Sequence, residues 1–279
     1  MPAQARATLE ALLRAKRLDG TLTSFMPVAR PEHAVAPSAL LQLDARLGGG
    51  WPRGQVSELV GPPSAGRTLV AASSLAATTR RGELAALVDA TDTFDPSSAA
   101  VAGIVWPHLL WVRGIPVAHG HMSREVAERV VDRAIKAASL VLSAGGFGLV
   151  VLDLADVPAP ALRRVPFTTW LRLQRMVEGH ETVALLVAPI SLGRSTGGVS
   201  VSLSAAGSSA ACGGWQGASG RARLFMGVTA RATLRRARPL PDDDRAFEAV
   251  SCQSVSPSVH QSVVDQFLGW STVTGNRRD

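Results

Sequence analysis

Apolar and polar positions alternate along Gln55-Val56-Ser57-Glu58-Leu59-Val60, a period of two that predicts a strand. Other runs are apolar almost throughout: residues 83–89 (ELAALVD), 108–112 (HLLWV), 149–153 (LVVLD) and 182–188 (TVALLVA). Strands covered on both faces read this way. Between them the period lengthens to that of a helix. Residues 68–79 are rich in Ala and Leu, and Ser123 caps a segment reaching about Leu142 with Val126, Val130, Ala134, Ala137 and Val141 at helical spacing. Short helices are expected over 38–50, starting on Ser38 and stopping at three glycines, and at about 97–102. An arginine-rich helix over 161–178 is broken near Pro166. Strands alternating with helices predict an α/β fold with a mostly parallel twisted sheet flanked by helices.

After Gly197-Gly198 the pattern changes. Residues 199–203 and 222–233 alternate like strands and suit antiparallel strands added at the sheet's edge near the C-terminus. Residues 251–258 are Ser-rich and expected to be loose, and Ser258 caps a final amphipathic helix carrying Val259, Val263, Val264, Phe267 and Leu268. That helix is either docked on the core or a partner-binding segment. Residues 4–18 form another amphipathic helix, followed by a Pro- and Gly-containing linker. The expected organisation is an N-terminal helix and linker over 1–37, a core over 38–240 and a tail over 241–279.

Composition narrows the function. No apolar run has transmembrane length, and the first residues lack a signal-peptide core, so a cytoplasmic protein without membrane contact is expected. Two cysteines, Cys212 and Cys252, make no disulfide framework, and nothing beside them has metal-ligand spacing. The net charge is +7, with 27 arginines against two lysines. A basic chain suits an anionic partner such as nucleic acid, although a GC-rich genome gives the same arginine bias. The arginines fall in two groups: Arg163, Arg164, Arg172 and Arg175 on the 161–178 helix, and six in residues 221–238, including Arg235 and Arg236. They form either solvated faces that block aggregation or contacts for DNA or a protein partner.

The stretch with the most specific chemistry is Gly61-Pro62-Pro63-Ser64-Ala65-Gly66-Arg67-Thr68. It matches a phosphate-binding loop, G-x-x-x-x-G-K-[ST], except that Arg67 replaces the lysine. In such a loop backbone N–H groups surround phosphate oxygens, the lysine reaches the outer phosphates and the hydroxyl ligates Mg²⁺. About 90 residues downstream, the most apolar strand ends on Asp153, where a second nucleotide motif holds Mg²⁺ through water. Gly61, Gly66, Arg67, Thr68 and Asp153 are the candidate nucleotide-binding residues.

The order of motifs resembles the RecA-like recombinase superfamily over residues 38–240: L-G-G-G-W-P-R-G at 47–54, the loop at 61–68, L-V-D-A-T-D-T-F-D-P at 87–96, L-V-V-L-D at 149–153 and S-T-G-G at 195–198. The resemblance implies a RecA-like P-loop core. It also places the family's catalytic glutamate on Thr91, its adenine-stacking tyrosine on Ser98 and its γ-phosphate-sensing glutamine on Pro189, and shortens the DNA-binding loops to 154–165 and 189–196. Arginine is not a conservative replacement at a fitted lysine site. Loss of a general base alone removes roughly 10²–10⁴-fold of rate. The expectation is a pseudo-ATPase with no catalytic residue, its binding of ATP and magnesium weak or absent.

G-G-G-W-P-R-G with an eroded site is most similar to the ImuA-type family of RecA-like accessory proteins. That resemblance implies a role in damage-induced mutagenesis and translesion synthesis, with an ImuB-like protein, RecA and an error-prone C-family polymerase complex as partners. Two alternatives stay open: an active DNA-dependent ATPase of the RecA/RadA type, and a non-catalytic single-stranded DNA-binding protein.

Overall fold

The computed structural model describes residues 35–100, 102–117, 122–192, 197–205, 213–216, 224–236 and 246–253. A two-stranded antiparallel pair, β1 (Val35–Ala36) with β2 (Trp51–Pro52), precedes the main sheet. The main sheet has nine strands among the described residues: β3 (Val56–Val60), β4 (Leu84–Asp89), β5 (Leu109–Arg113), β6 (Phe147–Asp153), β7 (Val183–Ala188), β8 (Ser200–Ala205), β9 (Gly213–Gln216), β10 (Leu224–Arg236) and β11 (Ala246–Gln253). Their order is β11-β10-β8-β3-β7-β6-β4-β5, with β9 also on β10. From β5 to β8 all pairs are parallel, and β10 is antiparallel to β8, β9 and β11. The α/β fold expected from the sequence is the fold observed.

Among the described residues the α-helices are α1 (Leu41–Arg46), α2 (Arg67–Arg80), α3 (Pro96–Ala100), α4 (Arg124–Ala144), α5 (Ala159–Arg164) and α6 (Phe167–Val177). Alternate strand residues sort into two cores. Leu149 and Val151 face α2, where Val70, Ala71, Leu75 and Ala76 pack against them. Val150 and Leu152 face α4 and α6, meeting Val130, Ala134, Trp170 and Leu173. Helices thus cover both faces of the parallel strands, which is why those strands carry so few polar residues. The α2 helix is buried nearly all round, and its hydroxyls are satisfied internally: Ser74, Thr78 and Thr79 donate back to the carbonyls of Val70, Ser74 and Leu75 at 2.8, 2.9 and 2.9 Å.

Several local expectations need correction. The helix expected over 38–50 spans only Leu41–Arg46, and Ser38 closes the preceding turn instead, its N–H and hydroxyl donating to Asp44 Oδ1 at 2.9 and 2.7 Å. The end of the expected linker is strand β1, drawn into pairing by β2. The segment at 199–203 pairs antiparallel with β10 as expected but is not at an edge: β8 lies inside the sheet, with its other side parallel to β3. Gly198 lets it re-enter there, because a Cβ would lie 2.4 Å from the Val56 carbonyl oxygen. Residues 251–253, expected to be loose, end β11, which pairs with the long β10. The sheet therefore runs past residue 240. The amphipathic segments at 4–18 and 258–268 lie outside the described residues.

The G-G-G-W-P-R-G string is a brace. Gly50 sits at φ +141°, where a Cβ would meet the Ala36 carbonyl oxygen at 2.3 Å. Trp51 is fully buried, and its indole Nε1 donates to Ser74 Oγ on α2 at 3.0 Å. Arg53 grips both Glu83 carboxylate oxygens at 2.9 and 3.0 Å and the Glu181 carbonyl at 2.7 Å, tying the residues that lead into β4 and β7. The string that carries the family resemblance steadies the helix that follows the 61–66 loop.

Candidate nucleotide site

Strand β3 delivers the chain to residues 61–66, and α2 starts at Arg67. Gly61 is pressed against β8, where a Cβ would lie 2.5 Å from the Leu203 carbonyl oxygen. Ser64 at φ +61° and Gly66 at φ +90° turn the chain through left-handed conformations into the helix. A helix N-terminus carries N–H groups without intrahelical acceptors and the positive end of its dipole, the feature that suits phosphate.

At the adjoining C-terminal ends of the strands lies a cavity of about 440 Å³, lined by residues that include Thr68, Thr91, Thr93, Phe94, Asp153 and Asp156. β4 and β6 pair in a register that puts Asp89 beside Asp153. Asp153 Oδ1 accepts from the Ala155 N–H at 2.9 Å. Burial pushes the Asp153 carboxyl up to about 6; Asp89 and Asp156 push the same way, against the Ala155 N–H and Arg67.

Arg67 takes a different direction from its neighbours. It is only 5% exposed, and Nη1 donates to the Ala155 carbonyl at 3.2 Å. Burial lowers its pKa, and the negative charges of Asp153 and Asp156 oppose that. A guanidinium stays protonated in such a place, so it serves as the countercharge to the carboxylates at the β6 tip.

The loop on which the resemblance places the family's catalytic glutamate holds hydroxyls. Thr91 is buried, its Oγ1 is 3.2 Å from Thr93 Oγ1, and Thr93 Oγ1 donates to Asp156 Oδ2 at 3.0 Å. Asp89 fixes this loop by accepting from the N–H groups of Thr93 and Phe94 at 3.1 and 2.9 Å. Asp92, at φ +56°, pairs with Arg113 through bonds of 2.7 and 2.8 Å, and Arg113 stacks 4.9 Å over Trp111. Ser98 lies in α3, and Pro189 follows β7 directly.

The residues fit a nucleotide with its magnesium in part. Thr68 and Asp153 face one cavity beside the helix N-terminus, but Arg67 is engaged with the backbone carbonyl of Ala155, a residue of the same cavity lining. Among the described residues no group of three or more His, Cys, Asp and Glu is placed to hold a metal, and no helix is long and apolar enough to cross a membrane.

The family model for the RecA N-terminal domain matches residues 20–146. The core is RecA-like. Curated relatives named Protein RecA include one from Nostoc punctiforme, 39% identical over 123 residues, covering 44% of this chain and 30% of the relative. Another, from Picosynechococcus, is 34% identical over 115 residues, covering 41% of the chain and 32% of the relative. A third, from Lactococcus lactis subsp. cremoris, is 31% identical over 142 residues, covering 50% and 33%. The matched stretch spans about a third of each relative's length.

Beyond the RecA-like loop, the structure places the candidate arginines in two regions. Arg163 and Arg164 end α5, and Arg172 and Arg175 lie on the exposed side of α6, so these four fall on consecutive helices. Arg235 and Arg236 lie on β10, beyond β8 in the sheet. Reading the sequence missed Glu58. Its buried carboxylate accepts from Ser191 Oγ and the Leu192 N–H, both at 2.8 Å, and from Ser200 Oγ at 3.2 Å, holding the chain that leaves β7. The signal was a carboxylate in a strand enclosed on both faces, where a buried charge requires donors.

Proposed function

We propose that the protein is a RecA-like accessory protein of the ImuA type with a degenerate ATPase site. On this reading it acts in damage-induced mutagenesis and translesion DNA synthesis through protein contacts with an ImuB-like protein, with RecA, or with both, in the company of an error-prone C-family polymerase complex. The observation that supports it best is the engagement of Arg67 with the Ala155 carbonyl. The side chain at the lysine position is committed to the protein's own backbone, and the position of the resemblance's glutamate is a buried threonine, Thr91. A threonine hydroxyl is no general base at neutral pH, so water activation has lost its means.

The retained parts suit an adaptor. A RecA-shaped surface associates with RecA-like protomers, and a site without turnover removes the cycle that drives filament turnover. The cavity with Thr68 and Asp153 leaves room for weak nucleotide binding that would modulate such contacts. The test is to add the purified protein to RecA filaments at equimolar dose and measure filament length and RecA ATPase activity. The reading predicts shorter filaments with reduced ATPase; unchanged filaments together with no binding to the ImuB-like protein would refute it.

A further inference from the structure

We propose that the outer face of α5 and α6 docks an acidic amphipathic segment of a protein partner. The proposal rests on the adaptor reading and supplies the chemistry of one of its contacts.

Helix α6 buries Trp170, Leu173, Gln174 and Val177 and turns Thr168, Arg172 and Arg175 outward, as a period of 3.6 requires; Phe167, at the first position of the helix and the margin of its buried side, is exposed as well. Arg163 and Arg164 are exposed at the end of α5, just before Pro166. From Val157 to Val177 there are four arginines and no acidic residue. Arg164 Nη1 donates to Glu128 Oε1 on α4 at 3.1 Å; among the described residues no carboxylate pairs with Arg163, Arg172 or Arg175. Phe167 is 41% exposed, a large apolar side chain left in water at the edge of the arginine face, where the chain enters the helix.

Arginine with an exposed aromatic is the composition of a protein-interface centre. The charges call for carboxylates, and Arg forks hold them bidentately. Phe167 calls for an apolar side chain on the same segment. The face from Phe167 to Arg175 spans about 12 Å at 1.5 Å per residue, two turns of a partner helix.

The neighbouring surface disfavours nucleic acid. On α4, Glu128 bridges Arg124 and Arg164, and Asp132 pairs with Lys136 at 2.7 Å, with both carboxylates exposed. A phosphate backbone crossing from α6 to α4 would meet Glu125, Glu128 and Asp132 interspersed with Arg124, Arg129, Arg133 and Lys136, a mixed surface that does not continue the basic track. A short peptide confined to α5 and α6 avoids it.

The test uses the full chain and two labelled peptides of equal negative charge. One is an amphipathic Glu/Leu helix; the other has each Leu replaced by Ser. An oligo-dT strand, the ImuB-like protein and RecA complete the set, each titrated against the natural chain, the Arg172→Glu/Arg175→Glu variant and Phe167→Ser. All three positions are exposed, and unchanged melting curves confirm folding. The proposal predicts that the Glu/Leu peptide binds and the Glu/Ser peptide binds far less. It also predicts that either variant weakens the Glu/Leu peptide and the ImuB-like protein roughly tenfold or more. Equal binding of the two peptides overturns it, as does oligo-dT binding that falls in parallel with peptide binding. If the ImuB-like protein binds natural chain and variants alike, this surface is wrong and the adaptor reading stands. If it does not bind the natural chain, and RecA does not either, both fall.

Discussion

Arg67 Nη1 lies 3.2 Å from the Ala155 carbonyl oxygen, so the first residue of the phosphate-loop helix is fastened to the loop that follows the acidic strand tip. In a working phosphate loop that residue serves the ligand. Here it serves the fold, balancing Asp153 and Asp156.

Arg67→Lys is expected to release this tie. A lysine's compact, flexible ammonium suits outer phosphates, whereas a planar fork crowds them. A fluorescent ATP analogue should bind the variant about tenfold tighter, a gain of roughly 1.4 kcal/mol, with no turnover because Thr91 remains. Unchanged affinity would mean that Arg67 does not obstruct the ligand.

Asp153 gives a pH prediction. Its folded pKa, about 6, stands above its ordinary value of 3.8. The folded state therefore holds this proton more tightly than the unfolded state. The associated stability is fully present below pH 4 and is lost as pH rises through 6. Asp153→Asn removes the ionisation and keeps an oxygen for the Ala155 N–H. The variant should be more stable than the natural protein at pH 7, by on the order of 2 kcal/mol, with the gain vanishing near pH 4. Denaturant midpoints across that range check it; a variant less stable at pH 7 would show that the ionised carboxylate is favourable as it stands.

The fold was legible where local pattern and local structure coincide. The Val56–Val60 strand, the Arg67–Arg80 helix and the Ser123 cap followed from periodicity and single residues, with Ser123 Oγ accepting from the Val126 N–H at 3.3 Å. β8 and β11 were misjudged because their places depend on partners distant in sequence. β8 lies parallel to β3 because Gly198 brings it back there, and the Ser-rich end of β11 pairs because β10 offers both edges. At the site, the sequence identified Arg67 and Thr91 as departures but not where the guanidinium goes, since that depends on the backbone 88 residues away. Phe167 was read as part of an arginine-rich helix, and its exposure emerged only when Trp170 and Leu173 claimed the core side.

Trp51 should matter for stability and not for direct ligand contact. Trp51→Ala empties a fully buried site and leaves Ser74 without its indole donor. A loss of about 3–5 kcal/mol is expected, against about 1 kcal/mol for Ser74→Ala. Chemical denaturation measures both, and equal small effects would show that the brace is dispensable.

Glu58→Ala should leave the Leu192 N–H and two serine hydroxyls without their shared acceptor. Destabilisation of about 2–4 kcal/mol is expected, with protease cleavage near residue 192 appearing before global unfolding. Cleavage kinetics identical to the natural protein would show that the carboxylate does not hold this segment.

The central claim is that the RecA-like core no longer hydrolyses nucleotide. Phosphate release from ATP by the purified protein, with magnesium and with or without single-stranded DNA, tests it most directly. The account predicts no release above background under either condition. DNA-stimulated release that Thr68→Ala abolishes would contradict it and make this protein a working DNA-dependent ATPase.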